Sequence, residues 1–281
     1  MTVVHGFSRA VSLVSVAIGL CLAAAIGCVG GDAPDDEVDA GAKGGTGGNG
    51  GSGGSKTDAG SGGSDSKTFK AGAADSHFPL VDGATWTYRH EYPQNPGKTP
   101  WDEIANMHAT THMGMSAFIL EDEEDAQGER SASTMVIDDT RILRVFKQVK
   151  VADQEAFNTT YDPGFLRYDE AWADFSGAAK EESYKSVQNC VMASTASKCA
   201  PGAIKRETTV HTFKVLNQHA EITVAAGTFD TVQIERVNLG DPDISGDEET
   251  KHFWYAAGVG KVRELDVANG ATEELKSFDI P

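Results

Sequence analysis

From Thr85 onward the chain keeps a two-residue rhythm, and that rhythm excludes most folds. In Thr85-Trp86-Thr87-Tyr88-Arg89 the two aromatics share one side and the Thr and Arg residues the other. Successive side chains of a strand point to opposite faces, so a period of two reads as a half-buried strand. Thr231-Val232-Gln233-Ile234-Glu235 repeats the pattern with Val232 and Ile234 inward, and Ile222 and Val224 do so one hairpin earlier, before Ala225-Ala226-Gly227. Ser133–Ile137 and Arg141–Val149 flank Asp138-Asp139-Thr140, which reads as a tight turn. His252–Tyr255 and Lys261–Leu265 flank a glycine-bearing connection. Only Asp169 to Lys185 hints at helix. The pattern predicts a mainly β, mostly antiparallel domain over residues 75–281. Trp86 and Trp254 are both expected in its core. In Phe253-Trp254-Tyr255, however, three adjacent aromatics cannot share a face. If Phe253 and Tyr255 take the core, Trp254 lies on the other face and becomes a candidate ligand-binding residue.

The first 74 residues have a different character. One basic residue, Arg9, precedes an uncharged apolar run from Val11 to Ile26, and the segment closes on Ala25-Ile26-Gly27-Cys28. This is the composition of a secretory signal, shorter than the ~20 residues that span a bilayer. Its end resembles the lipobox of bacterial lipoproteins. The resemblance implies a signal peptide over 1–27 and a mature chain that begins at diacylated, palmitate-bearing Cys28. Val29 stands where an aspartate would resemble the inner-membrane retention signal, which favours the outer membrane. From Gly30 to Ala74 the chain holds 15 of its 31 glycines and almost nothing apolar. Such a segment cannot offset the entropy of ordering. Residues 28–74 are therefore expected to form a lipidated, disordered Gly/Ser-rich linker with an r.m.s. span of roughly 35–40 Å.

The charge is −18, from 24 basic and 42 acidic residues, and loss of Arg9 with the signal makes it −19. That excess argues against nucleic acid and anionic lipid surfaces as partners. Of four cysteines, Cys21 leaves with the signal and Cys28 takes lipid. Cys190 and Cys199 remain as an even pair in an oxidising compartment, and a disulfide is expected. Closing so short a loop stabilises by about 2.5–3 kcal/mol in the chain-entropy model.

Three stretches occur in order: His77–His90 (HFPLVDGATWTYRH), Val224–Arg236 (VAAGTFDTVQIER) and Phe253–Leu265 (FWYAAGVGKVREL). They resemble a family of bacterial secreted and lipoprotein domains of the lipoprotein-carrier and DUF3108 type. The resemblance spans most of 75–281 and is specific in those three blocks, with Ala225 and Ala257 where proline is frequent. It implies a single antiparallel curved sheet or half-barrel with few short helices. It also implies turn roles for Gly83, Gly227, Gly258 and Gly260 and core roles for Trp86, Phe229, Trp254 and Tyr255. No catalytic residues come with it.

Chemistry is sparse. Gly114-Met115-Ser116-Ala117-Phe118 lacks the second glycine of a nucleophile elbow. His108 and His112 lie four apart without the glutamate of a metalloprotease motif or a third ligand. Asp241, Asp243, Ser245 and Asp247 copy the first half of a calcium loop, but His252 stands at its twelfth position, and an acidic hairpin loop is the plainer reading. Glu121–Glu129 reads as a solvated acidic loop. No cofactor, metal or enzymatic activity is expected. The chain is expected to be a membrane-tethered lipoprotein whose β domain binds a hydrophobic ligand or an envelope partner. The alternative is a structural envelope protein without a pocket.

Overall fold

A computed structural model describes residues 69–123, 128–174, 177–192, 200–239 and 249–281. The chain divides into two units, Met1–Ser61 and Gly62–Pro281, and all described residues belong to the second. Cys28 and the calcium-loop candidates Asp241, Asp243, Ser245 and Asp247 lie outside the described residues, as does Cys199.

Among the described residues twelve strands follow one another: β1 (Thr85–Glu91), β2 (Trp101–His112), β3 (Met115–Asp122), β4 (Glu129–Asp138), β5 (Arg141–Val151), β6 (Gln154–Asp169), β7 (Lys180–Cys190), β8 (Ile204–Val224), β9 (Gly227–Asn238), β10 (Glu249–Ala256), β11 (Gly260–Asp266) and β12 (Thr272–Asp279). Each pairs antiparallel with its chain neighbours, and β12 pairs with β1 from Thr85↔Asp279 to Glu91↔Thr272. The sheet is thus a closed up-and-down barrel, not the open half-barrel that the family resemblance implies. Closure leaves no unpaired sheet edge. The helix hinted at over Asp169–Lys185 is reduced to one 3-10 turn, Glu170–Ala173, capped by Asp169. The alternation of Lys180–Cys190 wins the rest of that stretch for β7.

The meander gives the barrel two unlike ends. One carries the turns β2–β3, β4–β5, β8–β9 and β10–β11. The segment before β1 folds into this end as a plug. Ala71, Phe78, Leu80 and Ala84 are buried in the core, so packed chain extends into the stretch read as linker. The plug is pinned by backbone bonds from Leu80 N to Gly72 O (3.0 Å) and Gly258 N to Ser76 O (2.8 Å). Buried Glu170 also accepts from the backbone N of His77 (3.1 Å) and lies 3.0 Å from its Nδ1. Gly260 is required where β11 begins. Its φ is +98°, a backbone conformation that side-chain-bearing residues rarely adopt, and it lies beside Pro79 of the plug and the Trp86 indole.

The outer wall carries charge. Lys276 reaches Asp102 at 2.7 Å, Arg89 reaches it at 3.1 Å, and Arg263 pairs with Glu274 at 3.2 Å. Lipid-facing strands exclude such residues, since Arg or Lys at the bilayer midplane costs about 2–4 kcal/mol. The wall therefore faces water. Among the described residues, no helix is long and apolar enough to cross a membrane.

Candidate functional site

Register decides what enters the lumen. Trp86 pairs with Ala105 and Tyr88 with Glu103, while Met107 pairs with Leu120 and Ala105 with Asp122. The inward face of β1 therefore reads Trp86, Tyr88, His90, and that of β3 reads Phe118, Leu120, Asp122. Both run from apolar near the plug to polar near the far end, and β2 does the same from Met107 through Ala105 to Glu103. Together with Phe78 and Pro79 of the plug, these strands enclose a cavity of about 140 Å³. Its floor is Phe78, Pro79, Trp86, Met107 and Leu120. Its upper wall is Tyr88, Glu103, Asp122, Arg144, Arg167, Lys261 and Glu273. A second hollow shares Glu103 and Asp122 and continues past Trp101, Ser131 and Lys147 toward the end away from the plug.

Most of the wall's charges are committed. Lys261 Nζ lies 2.7 Å from Glu273 and 3.0 Å from Glu264. Burial opposes its charge, yet the two carboxylates hold its pKa well above the ordinary lysine value. Burial likewise raises Glu264, but Lys261, Lys251 and Arg236 outweigh it and hold that carboxyl well below its usual range. Tyr88 donates to Lys261 O at 3.2 Å, and burial pushes its phenol far up. His90 Nε2 sits 2.5 Å from Glu103. His90, Glu103 and Glu273 bring their ligand atoms within 4.8 Å of one another, a set with metal-binding chemistry. Lys261 already supplies the cation that Glu273 needs, and His90 is engaged by Glu103, so the geometry favours a self-satisfied network over a metal centre.

Asp122 is held less well. Ser131 donates to it at 2.6 Å, but burial and neighbouring Glu103 push its pKa from 3.8 up to about 6. Its folded value lies above its unfolded one, so its ionisation opposes folding. The cost is absent below the unfolded value and grows until the pH passes about 6. Asp122→Asn is therefore expected to stabilise the protein by ~1–3 kcal/mol at pH 7.5, at ~1.36 kcal/mol per pKa unit discounted for cavity water, and to change little at pH 4. Urea unfolding at both pH values checks this, and equal effects at both would show that ionisation is not the cause. Burial and Arg144 likewise push Lys147 down to about 8, and burial and Arg167 push Arg144 down to about 10.

The residues singled out by sequence lie elsewhere. Trp254 pairs with Gln233 and Arg263 on the outer wall, and the Arg263 guanidinium lies 5.3 Å from its ring. Phe253 and Tyr255 take the core, so the expected core role of Trp254 is corrected, and the convex face keeps it from the lumen. His108 and His112 also face outward on β2, and His108 is exposed. Cys190 is buried at the end of β7. Asp122, read within an acidic loop, is the inward residue that ends β3. The signal that could have found Asp122 and Glu103 is their place in the two-residue rhythm, one step beyond the apolar residues of the same face.

No family model matches the chain, and no curated protein matches it. Two solved structures are similar in outline. A Bacteroides fragilis protein named for export and a YmcC-like fold shares 10% identity at a TM-score of 0.44, covering 73% of this chain and 99% of its own. A Parabacteroides distasonis protein named as a lipoprotein shares 13% at a TM-score of 0.37, with the same coverage. Neither likeness is close enough to assign a function.

Proposed function

We propose that this protein is a non-catalytic outer-membrane lipoprotein whose barrel binds a small hydrophobic or amphipathic molecule in its lumen. One observation carries the reading: the cavity has an apolar floor and a polar upper wall, and it shares Glu103 and Asp122 with a second hollow farther from the plug. Its volume of about 140 Å³ is close to that of a ~150 Å³ cavity that accepts benzene. A benzene-sized body fits, and a long acyl chain does not. The resemblance to lipoprotein domains and the lipobox at Cys28 support the envelope location.

Native mass spectrometry of intact protein from its own envelope tests the ligand. A retained small molecule is expected, and bare protein only, even after exposure to a total envelope extract, would contradict the reading. Cys28→Ser tests the anchor. It is expected to abolish incorporation of labelled palmitate, and incorporation at the wild-type level would end the lipoprotein assignment. The reading includes a Cys190–Cys199 disulfide. Denatured, exported protein should show no titratable thiol, and two would refute the bridge.

A further inference from the structure

We propose that the lumen takes a small organic acid, its carboxylate held by Arg144 and Arg167 and its apolar body resting on Trp86, Met107 and Leu120. This rests on the ligand-binding reading above and names the ligand's chemistry.

Three arginines surround one ring. The guanidinium carbons of Arg144 and Arg167 each lie 5.6 Å from the centroid of Phe165, and that of Arg236 lies 5.5 Å from it. Register builds the cluster. Arg144 on β5 pairs directly with Phe165 on β6, Arg167 follows two residues later on β6, and Arg236 enters from β9 opposite Phe213. Among the described residues, none of the three has a carboxylate within the 4.0 Å of an ion pair, and the Nε of each is buried without a hydrogen-bond partner. The ring face offsets part of the charge, and nearby Tyr161 favours the charged form of Arg144. Buried guanidinium N–H groups without an acceptor are uncommon in folded proteins.

None of the acids of the same wall forms an ion pair with these arginines, although Asp122 and Arg144 attract each other at longer range. Glu273 is 2.7 Å from Lys261, Glu103 is 2.5 Å from His90, and Asp122 accepts from Ser131 at 2.6 Å. Arg144 and Arg167 nevertheless line the cavity. A guest carboxylate presents two oxygens that match the guanidinium fork. The floor below is apolar, which favours an acid with an apolar body over a bare inorganic anion. Glu103 and Asp122 also face the guest, which favours one negative charge over two.

Calorimetric titration of intact protein in phosphatidylcholine nanodiscs at pH 7.5, against empty discs, tests this with benzoate and benzamide. The two share a ring and a size and differ in charge. Benzoate is expected to bind at least tenfold more tightly. Arg144→Gln and Arg167→Gln are each expected to weaken benzoate tenfold or more and to leave benzamide within twofold. Ligand-free Arg167→Gln is expected to melt close to wild type, because the side chain has no ion pair to lose and gives up only its contact with the Phe165 ring. If Arg144→Gln does not fold, Arg144→Lys keeps the charge without the fork and is expected to lose at least fivefold for benzoate. Benzamide binding as tightly as benzoate would overturn the arginine clamp while leaving the cavity reading intact. Inorganic phosphate displacing benzoate at equal concentration would overturn the role of the floor. Binding of neither aromatic would count against the ligand-binding reading itself.

Discussion

Trp86→Ala is expected to destabilise the protein by ~3–5 kcal/mol, the usual cost of truncating a buried tryptophan. Trp86 is 4% exposed. It packs beside Gly260 and Pro79, and its Nε1 donates to Val259 O at 2.7 Å. One side chain thus ties β1 to the β10–β11 turn and to the plug. Truncation also leaves Val259 O without that donor and opens the floor of the lumen. Against a typical stability of ~5–15 kcal/mol, the loss is a large fraction of the whole. Trp254→Ala is the matched control. Its ring lies on the outer wall beside Arg263, and its loss is expected to stay within ~1 kcal/mol, as for most surface changes. Guanidinium unfolding of both variants measures the contrast. Similar losses would mean that the inward and outward faces have been exchanged.

Lys261→Met is expected to cost ~3–5 kcal/mol at neutral pH, because it strands charges that are otherwise paired. Lys261 holds Glu273 at 2.7 Å and Glu264 at 3.0 Å, all at low exposure. Glu264 keeps a second partner in Lys251 at 3.0 Å, so most of the penalty falls on Glu273. The pH dependence follows from Glu264, whose folded pKa lies below its ordinary 4.5. Such a group contributes stability that is complete above its unfolded pKa and is lost as the pH falls toward its folded value. In Lys261→Met the Glu264 carboxyl loses the first of the cations that keep it ionised. The variant's deficit should therefore be largest near pH 7 and shrink toward pH 4. Glu273→Gln added to Lys261→Met should recover part of the loss. A deficit that is flat with pH, or unrelieved by Glu273→Gln, would show that Lys261 acts through packing alone.

The hairpins were legible in the sequence because each is local. Asp138-Asp139-Thr140 does turn the chain between β4 and β5, and Val232 and Ile234 do face inward on β9. Closure was not legible. Alternation says which residues share a face, but whether β1 meets β12 depends on coiling accumulated over every strand between them. A half-barrel and a barrel carry the same local signal. The lumen was hidden for a related reason. Glu103, Asp122, Arg144 and Lys261 sit on inward faces that change from apolar to charged along their length. A charged residue at the end of a strand looks the same in sequence whether it faces water or a cavity. Trp254 shows the opposite error, an aromatic in an aromatic run that falls on the outer wall.

The central claim is that a guest enters the lumen, and the four tryptophans report on it from distinct places. Trp86 lines the cavity, Trp101 lies on the second hollow, Trp172 is buried against Phe213 and Tyr168, and Trp254 is outside. Indole N–H resonances recorded during titration of intact protein with benzamide separate these positions. A saturable shift of Trp86, with Trp254 unmoved, is the predicted result. A saturable shift of Trp254 with Trp86 unmoved would place binding on the outer wall and contradict the account.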